Sequence, residues 1–441
     1  MKRKTYVAVG TGGRIPMFLD PIVDTYQQDC ELVGLCDPCE VRRTYHQQRL
    51  VRDYGVPAVP TYSDFNQMMR ETRPEVVIVC TPDCHHHKYI VEALEFGADV
   101  ICEKPLTIRA DHYEQIANAV RRTGGKVRTT FNLRWTPGIG KVRELIARGT
   151  VGQVKHVDFE YYLNTSHGAD YFRRWHSEKA VSGGLLLHKS THHFDVINWW
   201  LDAIPAEVFA MGRLCFYGKD NAIARGEGRF SEYPRYTGEP LAFGDPFAFD
   251  LNESEATREL YLKAEAETGY VRDRNVFREG IDIEDSLSVM IRYRTGEIAN
   301  YSLNAFCPDE GFRASICGDK GRIDYTEKHS SHLLTGEREV LTDGEEYAMT
   351  LRVQPHFEEP TEIEIAKLPG GHGGGDALLQ RQMFSENPPA DSFHRSAGHE
   401  QGAASLLIGV AANQSIQTGE RVNLDELTPL GPRKRYLHEL D

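Results

Sequence analysis

Short apolar runs alternate with amphipathic segments in residues 1–131. The runs are rich in β-branched residues and are apolar at successive positions, which is typical of parallel strands buried on both faces. The segments between them, such as 89–96 and 110–122, are closed by glycines and predict helices. The predicted strands are 5–9, 31–36, 75–80, 99–102 and 126–131. This alternation predicts a doubly wound α/β fold for the first part of the chain.

The regular alternation ends at residue 132. Residues 141–148 predict a helix, and Thr295-Gly296 joins two strand candidates as a tight hairpin, which favours an antiparallel sheet. We therefore predict a second, α+β domain with a mostly antiparallel sheet at 132–441. A polar insertion at about 219–282 interrupts it, and helices at 377–384 and 397–417 end it. The strand candidates are 156–163, 207–217, 286–294, 297–306 and 313–317.

The chain is acidic, since 51 basic and 65 acidic residues among its 441 give a net charge of −14. Such a surface repels polyanions, so nucleic acid and anionic membranes are not expected as partners. No apolar run approaches the ~20 residues that a membrane-spanning helix needs. The basic residues 2–4 lead into a strand instead of a signal-peptide core, so we expect a cytoplasmic protein.

Nine scattered cysteines include one CxxC motif, at Cys36 and Cys39. A zinc site of four cysteines needs a second such motif, and the chain has none. Several cysteines end apolar runs, where a thiol behaves as a small hydrophobic group. We therefore expect neither a redox centre nor a structural metal here.

A glycine-rich turn follows the first predicted strand, with Gly10, Gly12 and Gly13 in place. A strand, closely spaced glycines and a helix allow backbone N–H groups to approach a pyrophosphate. The third glycine of GxGxxG is absent, because Ile15 stands there. Asp37, which follows the second strand, occupies the place of a carboxylate that binds the adenosine ribose. It would repel a 2′-phosphate, so the sequence favours NAD over NADP.

Two further motifs end predicted strands, at the sheet edge where ligands of this fold bind. Residues 80–87 read CTPDCHHH, but three adjacent histidines on a helix point in different directions and do not converge on one ion. The second motif, 103–105, reads EKP. Lys104 beside a cationic nicotinamide would have a lowered pKa and could move a proton or bind a hydroxyl. The alternative is an ordinary solvated loop lysine.

Residues 183–195 read GGLLLHKSTHHFD. Their apolar positions fit one helix, which places His188 and His192 on one face and Lys189 and His193 on the next. An imidazole near neutrality can accept the proton of an alcohol. The two histidines of the first face also have zinc-ligand spacing, but no glutamate follows the first one, so we expect no metal.

Together, the order GxGG, Asp, TPxxxH, EKP and GG followed by HxxD resembles the glucose-fructose oxidoreductase, inositol dehydrogenase and MocA family. The resemblance covers essentially the whole chain and includes GDKGRIDY at 318–325. It implies an N-terminal Rossmann domain, at 1–131, and a C-terminal α+β domain whose large open sheet mediates oligomerisation. It also implies NAD, a carbohydrate or polyol substrate and a homo-oligomer, either a dimer or a tetramer.

The resemblance also implies roles for individual residues. His192 matches the family's catalytic histidine, with Lys104 and His188 beside it, although the family often has an acid where His188 stands. The expected substrate contacts are Lys189, His188 and Arg174. The expected cofactor contacts are Gly10, Gly12, Gly13, Arg14, Asp37, Thr81, Pro82, His86, Glu103 and Lys104.

We therefore predict an NAD-dependent oxidoreductase that takes a hydride from a secondary hydroxyl of a sugar, cyclitol or glycoside. One alternative is an NAD-requiring glycosidase or lyase that oxidises its substrate transiently, which the glycine-rich loop 370–376 and the histidine-rich site suggest. Another is a non-catalytic dinucleotide sensor. In the insertion, four residues either contact the sugar or anchor loops: Tyr233, Tyr236, Arg272 and Arg274.

Overall fold

The first strands form a parallel sheet in the structure, a computed structural model that describes residues 2–332, 348–366, 368 and 372–440. The strands are β1 (Lys4–Val9), β2 (Cys30–Cys36), β3 (Thr61–Tyr62), β4 (Val76–Val79), β5 (Asp99–Cys102) and β6 (Val127–Thr129). They lie in the order β6-β5-β4-β1-β2-β3, which reverses between β1 and β4. This is the doubly wound order, and its ligands bind at the carboxyl ends of the strands beside the reversal.

Helices cover both faces of this sheet. Alternate residues of β1 enter two separate cores, with Val7 and Val9 in one and Tyr6 and Ala8 in the other. This double burial explains the uninterrupted apolar runs of the sequence. The helices are α1 (Pro16–Val23), α2 (Glu40–Tyr54), α3 (Phe65–Thr72), α4 (His86–Glu95) and α5 (Ala110–Thr123).

A nine-stranded sheet dominates the rest of the chain, and its order is β14-β13-β12-β11-β7-β10-β9-β8-β16. Its neighbours pair antiparallel except for β7 and β10, so the mostly antiparallel α+β fold is confirmed. Its strands are β7 (Val154–Asn164), β8 (Pro205–Arg213), β9 (Ser286–Tyr293), β10 (Ile298–Cys307), β11 (Glu310–Gly318), β12 (Gly321–Ser330), β13 (Ala348–Pro355), β14 (Thr361–Glu362) and β16 (Val422–Asn423). The remaining strand, β15 (Ala397–Gly398), belongs to the first sheet.

The prediction of a strand over 207–217 was wrong at its end, because β8 stops at Arg213. The amides of Cys215, Phe216 and Tyr217 instead donate to the carboxylate of Asp285 at 2.7 to 2.9 Å. A carboxylate that gathers three successive N–H groups bends the chain away from the sheet. The bend begins the insertion.

The helices of this second part pack partly on the nine-stranded sheet and partly on helices of the first part. They are α6 (Pro137–Ala147), α7 (Thr165–Arg173), α8 (Lys179–Ser182), α9 (Leu185–His188), α10 (Ser190–Leu201), α11 (Lys219–Ala224), α12 (Glu255–Thr257), α13 (Glu265–Thr268), α14 (Gly375–Phe384), α15 (His399–Thr418) and α16 (Leu424–Leu427). None of the helices in the described part of the chain is long and apolar enough to cross a membrane.

The tail returns to the first sheet, since β15 pairs antiparallel with β6. Leu379, Met383 and Phe384 of α14 also enter the core beneath α1. The predicted division at residues 131 and 132 therefore separates the two parts along the sequence, whereas in space the tail packs with the first part. The domain boundaries remain a prediction.

Candidate active site

A cavity of about 620 Å³ lies at the carboxyl edge of the parallel sheet. The residues that the sequence analysis assigned to catalysis, to the cofactor or to the substrate outside the insertion all line it: Gly10, Gly12, Gly13, Arg14, Asp37, Thr81, Pro82, His86, Glu103, Lys104, Arg174, His188, Lys189 and His192. A larger cavity of about 1070 Å³ lies at the opposite edge, and none of these residues lines it. The predicted residues are thus neighbours in space, whereas their roles remain a proposal.

The glycine turn between β1 and α1 leaves room for a ligand. Gly10 has φ +88°, and a Cβ there would lie 2.5 Å from the carbonyl oxygen of Cys80, so only glycine fits. A Cβ on Gly12 would meet no atom of the described residues within 4 Å. The turn therefore approaches β4 closely on one side and leaves open space on the other, as a bound pyrophosphate requires. Ile15, in place of the third glycine, is fully buried in the core beneath α1.

Asp37 is buried and held firmly at the end of β2. Its Oδ2 accepts a hydrogen bond from the amide of Thr11 at 2.8 Å, and its Oδ1 accepts one from the amide of Cys39 at 2.9 Å. Each carboxylate oxygen has a further lone pair for a ribose hydroxyl. These residues therefore fit a dinucleotide. The cysteines beside it are free thiols, and burial raises the pKa of Cys36 to about 12 and that of Cys39 above its usual range.

The EKP motif places an ion pair at the floor of the cavity. Arg14 Nε donates to Glu103 Oε1 at 2.6 Å, and the amide of Lys104 donates to Glu103 Oε2 at 2.8 Å. Burial acts to raise the pKa of Glu103, but the charges of Arg14 and Lys104 outweigh it and hold the pKa below its usual range. Burial lowers the pKa of Lys104 itself to about 8. The expected depression of the lysine pKa is therefore present before any nicotinamide charge is added.

The prediction of one continuous helix over 183–195 was wrong, because Lys189 interrupts it between α9 and α10. The amide of His192 donates to the carbonyl of Lys189 at 3.3 Å instead of to His188. The His188 carbonyl instead accepts a hydrogen bond from Lys104 Nζ at 3.0 Å. His193 points away from the cavity and donates to or accepts from the Tyr301 hydroxyl at 2.8 Å.

Asp83 is a site residue that the sequence analysis missed. It is buried, lines the cavity and lies with Oδ2 2.6 Å from His188 Nδ1. Burial raises the pKa of Asp83, and burial together with the Lys104 charge lowers the pKa of His188 well below its usual range. The imidazole is therefore neutral near pH 7, with one ring nitrogen fixed by Asp83. In the sequence, the one sign of a role for Asp83 was its position directly after Thr81-Pro82.

An aromatic wall also lines the substrate side of the cavity. The ring centroid of His188 lies 3.9 Å from that of His176, 5.4 Å from that of Trp175 and 5.8 Å from that of Tyr171. Apolar ring faces of this kind suit the C–H face of a sugar ring. No periodic pattern marks these residues, which lie in α7 and the short turn after it.

Arg174 lies at the entrance to this wall, with Nη1 3.2 Å from Asp170 Oδ2. Arg272 Nη2 approaches the other oxygen of the same carboxylate at 2.8 Å. Despite burial, these guanidinium charges hold the pKa of Asp170 below its usual range. The two arginines thus share one counterion, and Arg174 alone of the pair lines the cavity.

Of the two interpretations of the four insertion residues, the structure supports loop anchors. None of the four lines the cavity. The hydroxyls of Tyr233 and Tyr236 donate hydrogen bonds to Asp245 and Asn275, and Arg272 and Arg274 pair with Asp170 and Glu178. The insertion reaches the cavity instead through Tyr261 and Tyr270, which no sequence pattern marked.

The three adjacent histidines diverge. His86 is buried, with its ring nitrogens 2.8 and 2.9 Å from the carbonyls of Pro105 and Thr81, so it ties two motif turns together. His87 stacks on His112 at 3.5 Å. Within the described residues, no cluster of three or more His, Cys, Asp or Glu side chains could hold a metal ion. The loop 370–376 lies partly outside the described residues.

Family profiles match most of the chain. The profile described as an oxidoreductase family NAD-binding Rossmann fold matches residues 4–131, and the profile of the C-terminal alpha/beta domain of that family matches residues 143–424. The protein YteT of Bacillus subtilis (strain 168) is 34% identical over 440 residues, which cover 96% of this chain and 98% of YteT.

Two named enzymes are also similar. D-glucoside 3-dehydrogenase of Escherichia coli (strain K12) is 30% identical over 180 residues, which cover 40% of this chain and 48% of that enzyme. The structure of levoglucosan dehydrogenase in complex with NADH has a TM-score of 0.63 at 15% identity and covers 96% of this chain and 99% of that one. At this identity the second likeness is one of fold.

Proposed function

Because the chain belongs to the glucose-fructose oxidoreductase, inositol dehydrogenase and MocA family of oxidoreductases, we propose that it oxidises a secondary hydroxyl of a sugar, cyclitol or glycoside with NAD. One observation carries the proposal. The glycine turn, Asp37, Lys104, His188 and His192 all line one cavity. A dinucleotide seated on the turn and a substrate at the histidines would therefore share a single space.

The preference for NAD rests on charges around the end of β2. Asp37 stands where a 2′-phosphate would lie, and Glu267 adds a second carboxylate, 2.7 Å from the amide of Glu40. Two nearby arginines each direct a donor to a backbone carbonyl and not to either carboxylate. Arg42 Nε donates to the carbonyl of Leu260 at 3.0 Å, and Arg43 donates to the carbonyl of Asp37. The site therefore disfavours the additional phosphate of NADP.

In the proposed reaction, His192 accepts the proton of the substrate hydroxyl, and Lys104 donates a hydrogen bond to the same oxygen. A bound oxidised nicotinamide supplies the acceptor for the hydride, so that the C–OH group becomes a carbonyl group. His188 is a weaker proton acceptor than an ordinary imidazole, because burial and the Lys104 charge keep its pKa low. We therefore assign it, with Lys189 and Arg174, to the neighbouring hydroxyls of the substrate.

We also propose that the protein is a homo-oligomer, a dimer or tetramer, that associates through the outer face of the nine-stranded sheet. Met211, Met290 and Ile298 lie on this face and are 66%, 52% and 45% exposed. The strand register places all three on the same side. Analytical ultracentrifugation of Met290→Glu should show a smaller species than the wild type; an unchanged oligomer would exclude this face.

The function is tested by incubating the protein and NAD with panels of sugars, cyclitols and glycosides, while reduced nicotinamide and released aglycone are both followed. We expect reduced nicotinamide to accumulate with at least one class. Aglycone release without net reduction would favour the glycosidase or lyase alternative. Binding of NAD without either product from any class would favour the sensor.

A further inference from the structure

Part of the insertion lies along α2, the helix that follows Asp37. Three contacts join the segment 251–270 to this helix. The amide of Glu40 donates to Glu267 Oε2 at 2.7 Å, and Arg42 Nε donates to the Leu260 carbonyl at 3.0 Å. Arg52 and Glu255 pair at 3.1 Å near the other end of the helix. The insertion is therefore attached along the edge of the nucleotide site.

Tyr261 extends from the middle of this segment to the glycine turn. The amide of Gly13 donates to the Tyr261 hydroxyl oxygen at 3.1 Å. Gly13 adjoins Gly12, in front of which the space is open. Since the hydroxyl oxygen already accepts one hydrogen bond, its own proton is available for an acceptor, and none is found for it among the described residues. The hydroxyl thus lies beside the open side of the turn, and its O–H group can donate a hydrogen bond to a ligand there.

The surroundings of Tyr261 favour an anion at this position. The guanidinium group of Arg42 lies 5.6 Å from the centre of its ring, and that of Arg272, which pairs with Asp170, lies at the same distance. Backbone N–H groups of a glycine turn and a phenol are both hydrogen-bond donors, and phosphate oxygens are strong acceptors. A diphosphate in the open space beside Gly12 would therefore meet donors from both the glycine turn and the insertion.

We propose that Tyr261 is a cofactor-binding residue, whose hydroxyl donates a hydrogen bond to the diphosphate of the dinucleotide while it still accepts from the Gly13 amide. The inference rests on the proposed function, since it requires a dinucleotide in this cavity. The insertion then closes over the diphosphate, and the dinucleotide leaves only after this hydrogen bond breaks. Tyr261 therefore slows cofactor release as well as strengthening binding.

The test compares wild type with Tyr261→Phe in the full chain, using calorimetry with NAD, ADP and adenosine and stopped-flow measurement of NAD dissociation. A hydrogen bond to a charged group is lost, so the Kd for NAD and for ADP should rise by about tenfold or more and NAD should dissociate faster by a similar factor. Adenosine has no diphosphate, so its Kd should not change. Tyr270→Phe, which removes another cavity hydroxyl of the insertion, should leave ADP affinity unchanged.

Unchanged NAD and ADP affinity in Tyr261→Phe would overturn the inference. So would an equal loss for adenosine, which would assign Tyr261 a structural role. A matching melting temperature for the two proteins ensures that the comparison concerns binding. Failure of the wild type to bind NAD or ADP is a different result, because it would contradict the proposed function itself.

Discussion

At the nucleotide end of the cavity the main chain forms most of the binding surface, whereas at the substrate end the surface consists of side chains from separate segments. Gly10 and Gly12 shape the first end through the Cβ atoms that they lack. At the second end, Lys104, Asp83 and His188 meet from three different loops and helices. One end is thus fixed by local backbone geometry and the other by tertiary packing.

This difference teaches which property each end controls. Substitutions at the substrate end should change turnover and leave cofactor affinity nearly intact. Substitutions at the nucleotide end should change cofactor affinity or preference and leave the chemical step nearly intact. A variant that changes turnover and cofactor affinity by equal factors would contradict this division of roles between the two ends.

His192→Ala should have the largest effect. A positioned base accelerates a reaction by a factor of about 10² to 10⁴, so kcat should decrease by a factor in this range. The Kd for NAD should stay within about threefold of the wild-type value. His188→Ala, the matched control from the same cavity, should chiefly raise KM. If His188→Ala lowers kcat more than His192→Ala does, the proton acceptor is His188, and Asp83 then orients it.

Lys104→Met should lower kcat by at least ~100-fold, because the variant cannot polarise the substrate oxygen. Its NAD affinity, measured by calorimetry, should change little. Lys104 reaches across to the His188 carbonyl, so a melting curve serves as the control for local repacking. Full activity in this variant would show that Lys104 is an ordinary loop lysine without a catalytic role.

The pH dependence sharpens the same contrast. Burial lowers the pKa of Lys104 to about 8, so the lysine is a charged donor below this pH and loses its proton above it. The kcat of the wild type should therefore decline as the pH rises, with a midpoint at or below about 8, because a cationic nicotinamide lowers this pKa further. The residual activity of Lys104→Arg should lack this decline, because a guanidinium stays protonated. A decline of the same midpoint in both proteins would assign it to another group.

Asp37→Ala should have the smallest effect, and it should act on cofactor binding and not on the chemical step. The loss of one carboxylate near the ribose should narrow the preference for NAD over NADP by about tenfold or more, since contacts of this kind to a charged group are worth roughly 1.5–3 kcal/mol. Separate titrations with the two cofactors measure the ratio. If the wild type binds NADP more tightly than NAD, the roles proposed for Asp37, Arg42 and Arg43 in cofactor preference are wrong.

The two ends also differ in how far the sequence predicts them. Gly10, Gly12 and Asp37 act through local turn geometry at fixed distances along the chain, so periodicity and spacing located them. Asp83 carried a signal, its place after Thr81-Pro82, but its partner His188 is distant in sequence and was recognisable only in three dimensions. No sequence pattern marked Tyr261, because the insertion lacks periodicity. The approach of Tyr261 to Gly13 depends on the packing of the insertion against α2. The break at Lys189 was hidden because the apolar spacing fits an unbroken helix.

The most direct test of the account is a single-turnover experiment in which wild type and Lys104→Met, both saturated with NAD, are mixed with the carbohydrate panels while nicotinamide absorbance is followed. The account predicts reduced nicotinamide in the first turnover of the wild type with at least one class, and a rate at least ~100-fold lower in the variant at equal cofactor occupancy. Failure of every class to reduce the cofactor bound to the wild type, or equal rates in the two proteins, would contradict it.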